Sequence, residues 1–470
     1  MELQHYYHSV RLDMDKCKGC TTCLKRCPTE AIRIRNNRAS ILNERCIDCG
    51  ECIKVCANHA KVAVTDPLES IKRFKYPIAL PAPTLYAQFQ GVHQPEPIIA
   101  SLFRLGFVDV FEVARAAEIV SYAISRAMRE EDRPKPVISS ACPAILRLIQ
   151  VSFPALLDNV IDFVSPMEAA AKIAKEEYAQ KHGVDKADVG VFFITPCAAK
   201  MTAVKSPVGQ EKSHVDGVIA IKDVYAQMRA AMKQGFSPLE IDRASVVGIK
   251  WAIPGGEVEA VGIKSSLCVD GIDNVINVLE AIEDARFRNL TYFEGLACVN
   301  GCLGGPLTVE NSFVAKNRLR SVMNRTLQKT VQRREIFEDA VQTLRMTRPI
   351  EPSDALQLSG TMKERIEREE RIERLTMGLP GLDCGSCGSP SCRALAEDIV
   401  NGYANELNCV FRLNDRINSL AAEMLTLGTS TRYTTGEDMA RLRRLHDELS
   451  RSEPSEAPDG GADDDGGDST

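Results

Sequence analysis

The feature that most constrains this chain is one cysteine spacing used twice. Residues 17–28 read CKGCTTCLKRCP and residues 46–56 read CIDCGECIKVC. Both follow C-x2-C-x2-C-x3-C. Three thiolates at this spacing wrap a short loop around one face of an iron–sulfur cubane, and the fourth ligand comes from the other motif. The pattern assigns Cys17, Cys20, Cys23 and Cys56 to one 4Fe–4S cluster, and Cys46, Cys49, Cys52 and Cys27 to a second. Structural zinc is the competing reading, but zinc sites rarely take eight cysteines in this arrangement.

The remaining cysteines fit a metal-rich protein better than a disulfide-bonded one. The chain has 17 cysteines in 470 residues. It shows no apolar run of about 18 residues and no leader with basic and apolar regions. A cytoplasmic protein without a membrane span is expected, and in a reducing compartment clustered cysteines are metal ligands. Net charge is −6, and the tail from Ser452 carries acids and no base. The rest of the chain is near neutral, so nucleic acid is not an expected partner. Residues 1–66 resemble bacterial two-cluster ferredoxins, which implies an α+β ferredoxin-like domain moving single electrons. Ala57 stands where the second motif usually has proline.

Residues 78–320 read as an α/β domain with mostly parallel sheets. PVISSACP, VGVFFITPC and SVVGIKWAIPGG are read as short apolar strands ended by turn residues, separated by helical stretches such as SPMEAAAKIAKEEYAQKH. In that helix Ser165 is placed to cap and Pro166 suits the first turn. Ligands in such folds collect past the C-terminal ends of strands. Residues 321–376 are expected to form a charged helical linker, 380–411 a small helical 4Fe–4S domain, 412–451 a helical segment and 452–470 a disordered acidic tail.

Five cysteines are scattered through the α/β region: Cys142 in SSACP, Cys197 in ITPCAAK, Cys268 in SSLCVDG, and Cys298 and Cys302 in EGLACVNGCLGGP. Each alone could be a buried apolar filler, and a nucleophile would need a nearby base. Three of these contexts place Cys beside Pro or Gly after an apolar run, where backbone can approach a large inorganic group. Four thiolates from three loops, Cys142, Cys197, Cys298 and Cys302, would hold a cubane in a buried site.

These three motifs, in this order, resemble the signatures of iron-only (FeFe) hydrogenases. The resemblance implies that the four cysteines ligate the 4Fe–4S part of an H-cluster. It also implies that Cys302 bridges to a two-iron subcluster carrying CO, cyanide and a dithiolate, and that Lys200 donates a hydrogen bond to a cyanide. It places LPAP (residues 80–83) near the cyanides. It further implies maturation proteins, H2 and protons as substrates, and a redox partner such as ferredoxin or a signalling protein in an anaerobic setting.

The departures from the family pattern concern protons. Ala141 stands where the family commonly has the cysteine that shuttles protons, and Ala203 where a relay glutamate is usual. Leu296 replaces a methionine. These changes resemble the divergent, sensory branch of the family. Glu294 and Glu257, the latter expected at a strand-to-loop junction, are candidate substitute proton carriers. Cys268 reads as core filler rather than as a carrier.

A third cysteine group, Cys384, Cys387, Cys392 and Cys409, resembles the small 4Fe–4S domain of anaerobic redox proteins, with zinc as competitor. Ser389 is expected to cap a helix that starts near Pro390. One unbroken helix would hold Cys392 and Cys409 about 25 Å apart, so the chain must turn, with Gly402 the expected place. The cysteine spacings together with the family resemblance thus imply three accessory 4Fe–4S clusters and an H-cluster in a low-turnover hydrogenase with Cys302, Lys200, Glu294 and Glu257 at the reaction site. The alternative is a non-catalytic electron-transfer or cluster-scaffold protein lacking the two-iron subcluster.

Overall fold

The computed structural model describes residues 6–235, 242–326, 334–356, 360–430, 436–438, 440–441 and 443–444. The acidic tail expected to be disordered lies outside the described residues. The chain divides into two compact units, residues 1–359 and 360–470.

The cysteine repeat is matched by a repeat of short ribbons. β1 (Val10–Leu12), β2 (Ile32–Arg35), β3 (Arg38–Ile41) and β4 (Lys61–Ala63) form two antiparallel pairs, β1 with β4 and β2 with β3. Such short ribbons cannot bury a core of ordinary size. Their small apolar cluster includes Leu24, Ile32 and Ala60 together with the cysteines themselves.

The rest of the first unit holds two all-parallel sheets. β5 (Tyr76–Pro81), β6 (Asp109–Val110), β8 (Val189–Thr195) and β9 (Gly217–Ala220) lie in the order β6-β5-β8-β9, while β7 (Val137–Ile138), β10 (Ser266–Asp270) and β11 (Tyr292–Leu296) lie in the order β10-β11-β7. Every residue of β8 is buried, which explains why VGVFFIT is apolar without alternation. Helix Pro166–His182 packs on the larger sheet and helix Val113–Glu130 packs against that helix, with small residues such as Ala116, Ala123, Ala170 and Ala174 in the shared core.

One expected strand is not a strand. SVVGIKWAIPGG forms helix Val246–Ile249, a 3-10 turn Lys250–Ala252 and, after the Pro-Gly-Gly turn, helix Gly256–Val261. Ser245 Oγ caps the first of these by accepting from the Val247 N–H. Gly248 lets this helix approach the helix carrying Ala114, whose carbonyl oxygen would lie 1.9 Å from a Cβ at that position. The apolar run therefore reflects burial between helices, and periodicity cannot separate that from a short buried strand. Glu257 accordingly sits in the first turn of a helix, not at a strand end.

The charged segment 321–376 is not a uniform linker. Ala340 and Leu344 are buried in the core of the first unit, and Arg345 pairs with Glu131 and Asp162. In the second unit, helix Met362–Gly378 starts with a capping box between Thr361 and Glu364. Among the described residues no helix is long and apolar enough to cross a membrane.

Candidate metal centre

The C-terminal ends of strands from both sheets converge on one cavity of about 110 Å³. β5 runs into Ala82, Pro83 and Thr84 at its wall. β7 leads to Ala141 and Cys142, β8 to Pro196 and Cys197, and β11 to Ala297 and Cys298. Cys142 and Cys197 each occupy the residue just before a helix, Pro143–Ser152 and Ala198–Lys205. Cys302 lies on the 3-10 turn Gly301–Gly304, entered through Asn300 in the left-handed region. Burial pushes the thiols of Cys197, Cys298 and Cys302 up, and Cys142 adds to each shift. The four thiols are free of disulfides and face one apolar space. This donor set suits a soft-metal cluster, whose charge would favour the thiolates that burial disfavours.

The ferredoxin-like region adjoins the cavity. Cys49 lies on the cavity wall with the four cysteines. A Cβ at Gly50 would lie 2.5 Å from Pro306 Cγ, and Lys54 approaches the Cys298 thiol. The two cysteine sets expected from the spacing are also neighbours here. Cys23 feels Cys20, Cys56 and Cys17, while Cys49 feels Cys27, Cys52 and Cys46, and burial pushes both thiols up. Asp48, buried between Cys46 and Cys49, accepts from the Val10 N–H at 2.9 Å and contacts His8 Nδ1 at 2.8 Å.

Lys200 Nζ reaches the same cavity and donates to the Ala141 carbonyl at 3.1 Å. The two glutamates chosen from the sequence are both there and both buried. Glu257 accepts from Tyr292 Oη at 2.6 Å and from Ser139 Oγ at 2.8 Å. Glu294 accepts from the Gly255 N–H at 3.2 Å and the Val258 N–H at 3.0 Å, satisfying amides at the start of helix Gly256–Val261. Burial holds both carboxyls well above their ordinary value, and the charge of Glu294 pushes Glu257 up further. Two such close carboxyls do not both ionise cheaply, so the pair retains a proton toward neutral pH.

Two partners of these carboxyls, Tyr292 and Ser139, were not singled out from the sequence, and a third, Cys268, was read there as filler. Tyr292 shares a face of β11 with Glu294, a period-two relation visible in YFEGL. Ser139 is the first serine of SSAC. Cys268 is paired in register with Glu294 on the next strand and hydrogen-bonds its carboxyl, so it is more than filler. A second cavity of about 50 Å³ is lined by Ala141, Lys200, Ala203 and Glu168. Both alanine departures thus border one space. Glu168 is buried there and accepts from Ser213 Oγ at 2.6 Å and the His214 N–H at 2.8 Å.

In the second unit Cys392 opens helix Cys392–Val400. The cap is Ser391, whose side chain accepts from the Ala394 N–H, while Ser389 Oγ instead donates to Asp398 Oδ2 at 2.7 Å. Ser389 is therefore tied to the far end of the helix and is not its cap. The helix ends before Gly402, which has φ +77°. The chain then turns, and Cys409 follows a short 3-10 turn and is buried.

Residues 75–262 match the family model described as the iron only hydrogenase large subunit, C-terminal domain. Residues 9–57 match a 4Fe-4S dicluster domain and residues 379–411 a putative Fe-S cluster domain. The chain is 24% identical over 385 residues to the NADP-reducing hydrogenase subunit HndD of Solidesulfovibrio fructosivorans, covering 65% of this chain and 66% of that one. It is 26% identical over 289 residues to iron hydrogenase 1 of Clostridium pasteurianum, covering 54% and 50%. The chain thus spans from half to just under two thirds of the length of these relatives. A solved variant of FeFe-hydrogenase HydA1 from Chlamydomonas reinhardtii aligns with TM-score 0.45 at 16% identity, over 60% of this chain and 94% of that one.

Proposed function

We propose that this chain, whose residues 75–262 belong to the iron-only hydrogenase large-subunit family, binds an H-cluster and interconverts H2 with protons and electrons slowly, in a sensing or regulatory role. The observation that carries the reading is the cavity that joins four free cysteines, one lysine and two proton-retaining carboxyls. Cys142, Cys197, Cys298 and Cys302 would hold the cluster, with Cys302 next to its two-iron part and Lys200 placed to neutralise a cyanide. When bound, the group supplies the heterolytic chemistry, H2 ⇌ 2 H⁺ + 2 e⁻.

The chain's own residues bind the group, exclude water and manage protons. Ala141 cannot titrate, so the short relay of the family is interrupted next to the site. Glu257 and Glu294 take over as proton holders, and Glu257 is joined to the Ala141 backbone through Ser139. Cys49 on the cavity wall marks the side on which electrons would pass to the two ferredoxin-like clusters. A redox partner, ferredoxin or a signalling protein, would receive them, and maturation proteins would install the two-iron part. The third accessory cluster would occupy Cys384, Cys387, Cys392 and Cys409.

A longer and less direct proton path favours slow turnover. H2 oxidation by the fully matured protein, measured with an artificial electron acceptor, tests this. Detectable but slow oxidation is expected. Rates typical of fast hydrogenases would refute the regulatory reading, and no turnover at all would leave an electron-transfer or scaffold protein.

A further inference from the structure

The helix Val410–Ser430 of the second unit carries a face that no other described residue covers. Val410, Leu413, Ile417, Leu420 and Met424 are between 39% and 57% exposed. Their spacing of three and four residues is the a/d repeat of a coiled coil, with β-branched or unbranched residues at a and leucine at d. Leu427 continues the repeat in the sequence. The half-buried residues among the described positions of this helix are Phe411, Arg412, Asn418, Ala421 and Leu425, and none of them is a seam position.

The charges beside the seam select its occupant. Arg416 and Glu423 both hold the g position, on the same edge, and lie 3.9 Å apart two turns along the helix. In a parallel pair each g residue meets an e residue of the other helix. Here those are Ala421 and Gly428, and the charges would find no partner. In an antiparallel pair g meets g, so Arg416 of one helix meets Glu423 of the other, twice by symmetry. The same register sets Ile417 opposite Leu420 and Leu413 opposite Met424, with the two-fold axis level with the Asn418–Ser419 peptide. One surface thereby complements itself in apolar packing and in charge, as an isologous interface requires.

We propose that Val410–Met424 is a dimerisation seam that pairs antiparallel with the same segment of a second copy of this chain. The apolar layers supply the association, and the two Arg416–Glu423 pairs set its direction. The seam is only two to three heptads long, so the dimer forms reversibly with concentration. This inference stands whether or not the metal centre turns over H2.

Sedimentation velocity of the 470-residue chain with its clusters in place, over about a hundredfold range of concentration, provides the test. A monomer–dimer equilibrium is expected. Leu420→Glu should leave monomer throughout, and circular dichroism should show its helix content unchanged. Arg416→Glu alone and Glu423→Arg alone should each weaken dimerisation by about tenfold, and the double reversal should restore it. Monomer at every concentration overturns the proposal, as does a dimer that survives Leu420→Glu. Single reversals without effect, or a double reversal that fails to restore pairing, overturn the antiparallel arrangement.

Discussion

Ser139 Oγ donates to Glu257 Oε2 at 2.8 Å and accepts from the Ala141 N–H at 3.2 Å. One hydroxyl therefore links a buried, proton-retaining carboxyl to the residue that stands where a titratable thiol is usual. Glu257 thus reaches the Ala141 backbone through a single hydroxyl.

If Glu257 holds the proton in transit, Glu257→Gln should lower H2 turnover by about 100-fold or more. Iron content should stay at the wild-type level, because no cluster ligand is touched. Ser139→Ala should lower it in the same direction by less. Hydrogen–deuterium exchange activity normalised to bound iron measures both, and unchanged exchange in Glu257→Gln would remove this carboxyl from the path.

Ala141→Cys restores the thiol that the family commonly uses at this position. Turnover should rise by about tenfold if the remainder of the route is usable. The second cavity shows where a further break would lie, since Ala203 borders it with Ala141 and Lys200. No gain from Ala141→Cys, followed by gain on adding Ala203→Glu, would assign the limit to that second position.

The buried glutamate pair also sets a pH dependence of stability. In the folded chain Glu257 keeps its proton above the ordinary value of 4.5 because of burial and the charge of Glu294. Below that value folded and unfolded chains are both protonated, and burial carries no ionic penalty. As pH rises, the unfolded chain releases its proton first, so stability declines until pH passes the raised folded value. The loss is on the order of a few kcal/mol. Glu257→Gln should be free of this part of the decline. Melting temperatures of the two proteins between about pH 5 and pH 8 should converge at the acid end and separate at the upper end. A constant difference would contradict the raised carboxyl.

Cys409→Ser tests the second unit by itself. The chain turns at Gly402 and buries Cys409 after a short 3-10 turn. The variant should lose one cluster's share of iron and the matching paramagnetic signal, while the signals of the other clusters remain. Unchanged iron would mean that the third cysteine group holds no cluster.

Which parts of this were legible in the sequence depended on how local the determinants are. The cysteines expected to hold the ferredoxin-like clusters are set by spacing within two loops, and β8 announces itself as a continuous apolar run. The four cavity cysteines come from three separate segments, yet Cys142 and Cys197 each follow a strand with Pro beside them and Cys302 follows Gly301, and that context was readable. SVVGIKWAIPGG was misread because Gly248 and the Ser245 cap act through a neighbouring helix, which a hydropathy pattern does not contain. Ser391 replaced Ser389 as cap because Asp398 draws Ser389 away across the helix. The relation of Cys268 to Glu294 rests on the register of two parallel strands, which pairing of distant segments alone decides.

The central claim is that Cys142, Cys197, Cys298 and Cys302, with Lys200, hold an H-cluster rather than a plain 4Fe–4S cluster. The infrared spectrum of the protein after maturation tests it most directly. Bands of iron-bound CO and cyanide are expected, with the cyanide bands displaced in Lys200→Met while the CO bands remain. Full iron occupancy without any CO or cyanide band would contradict the claim.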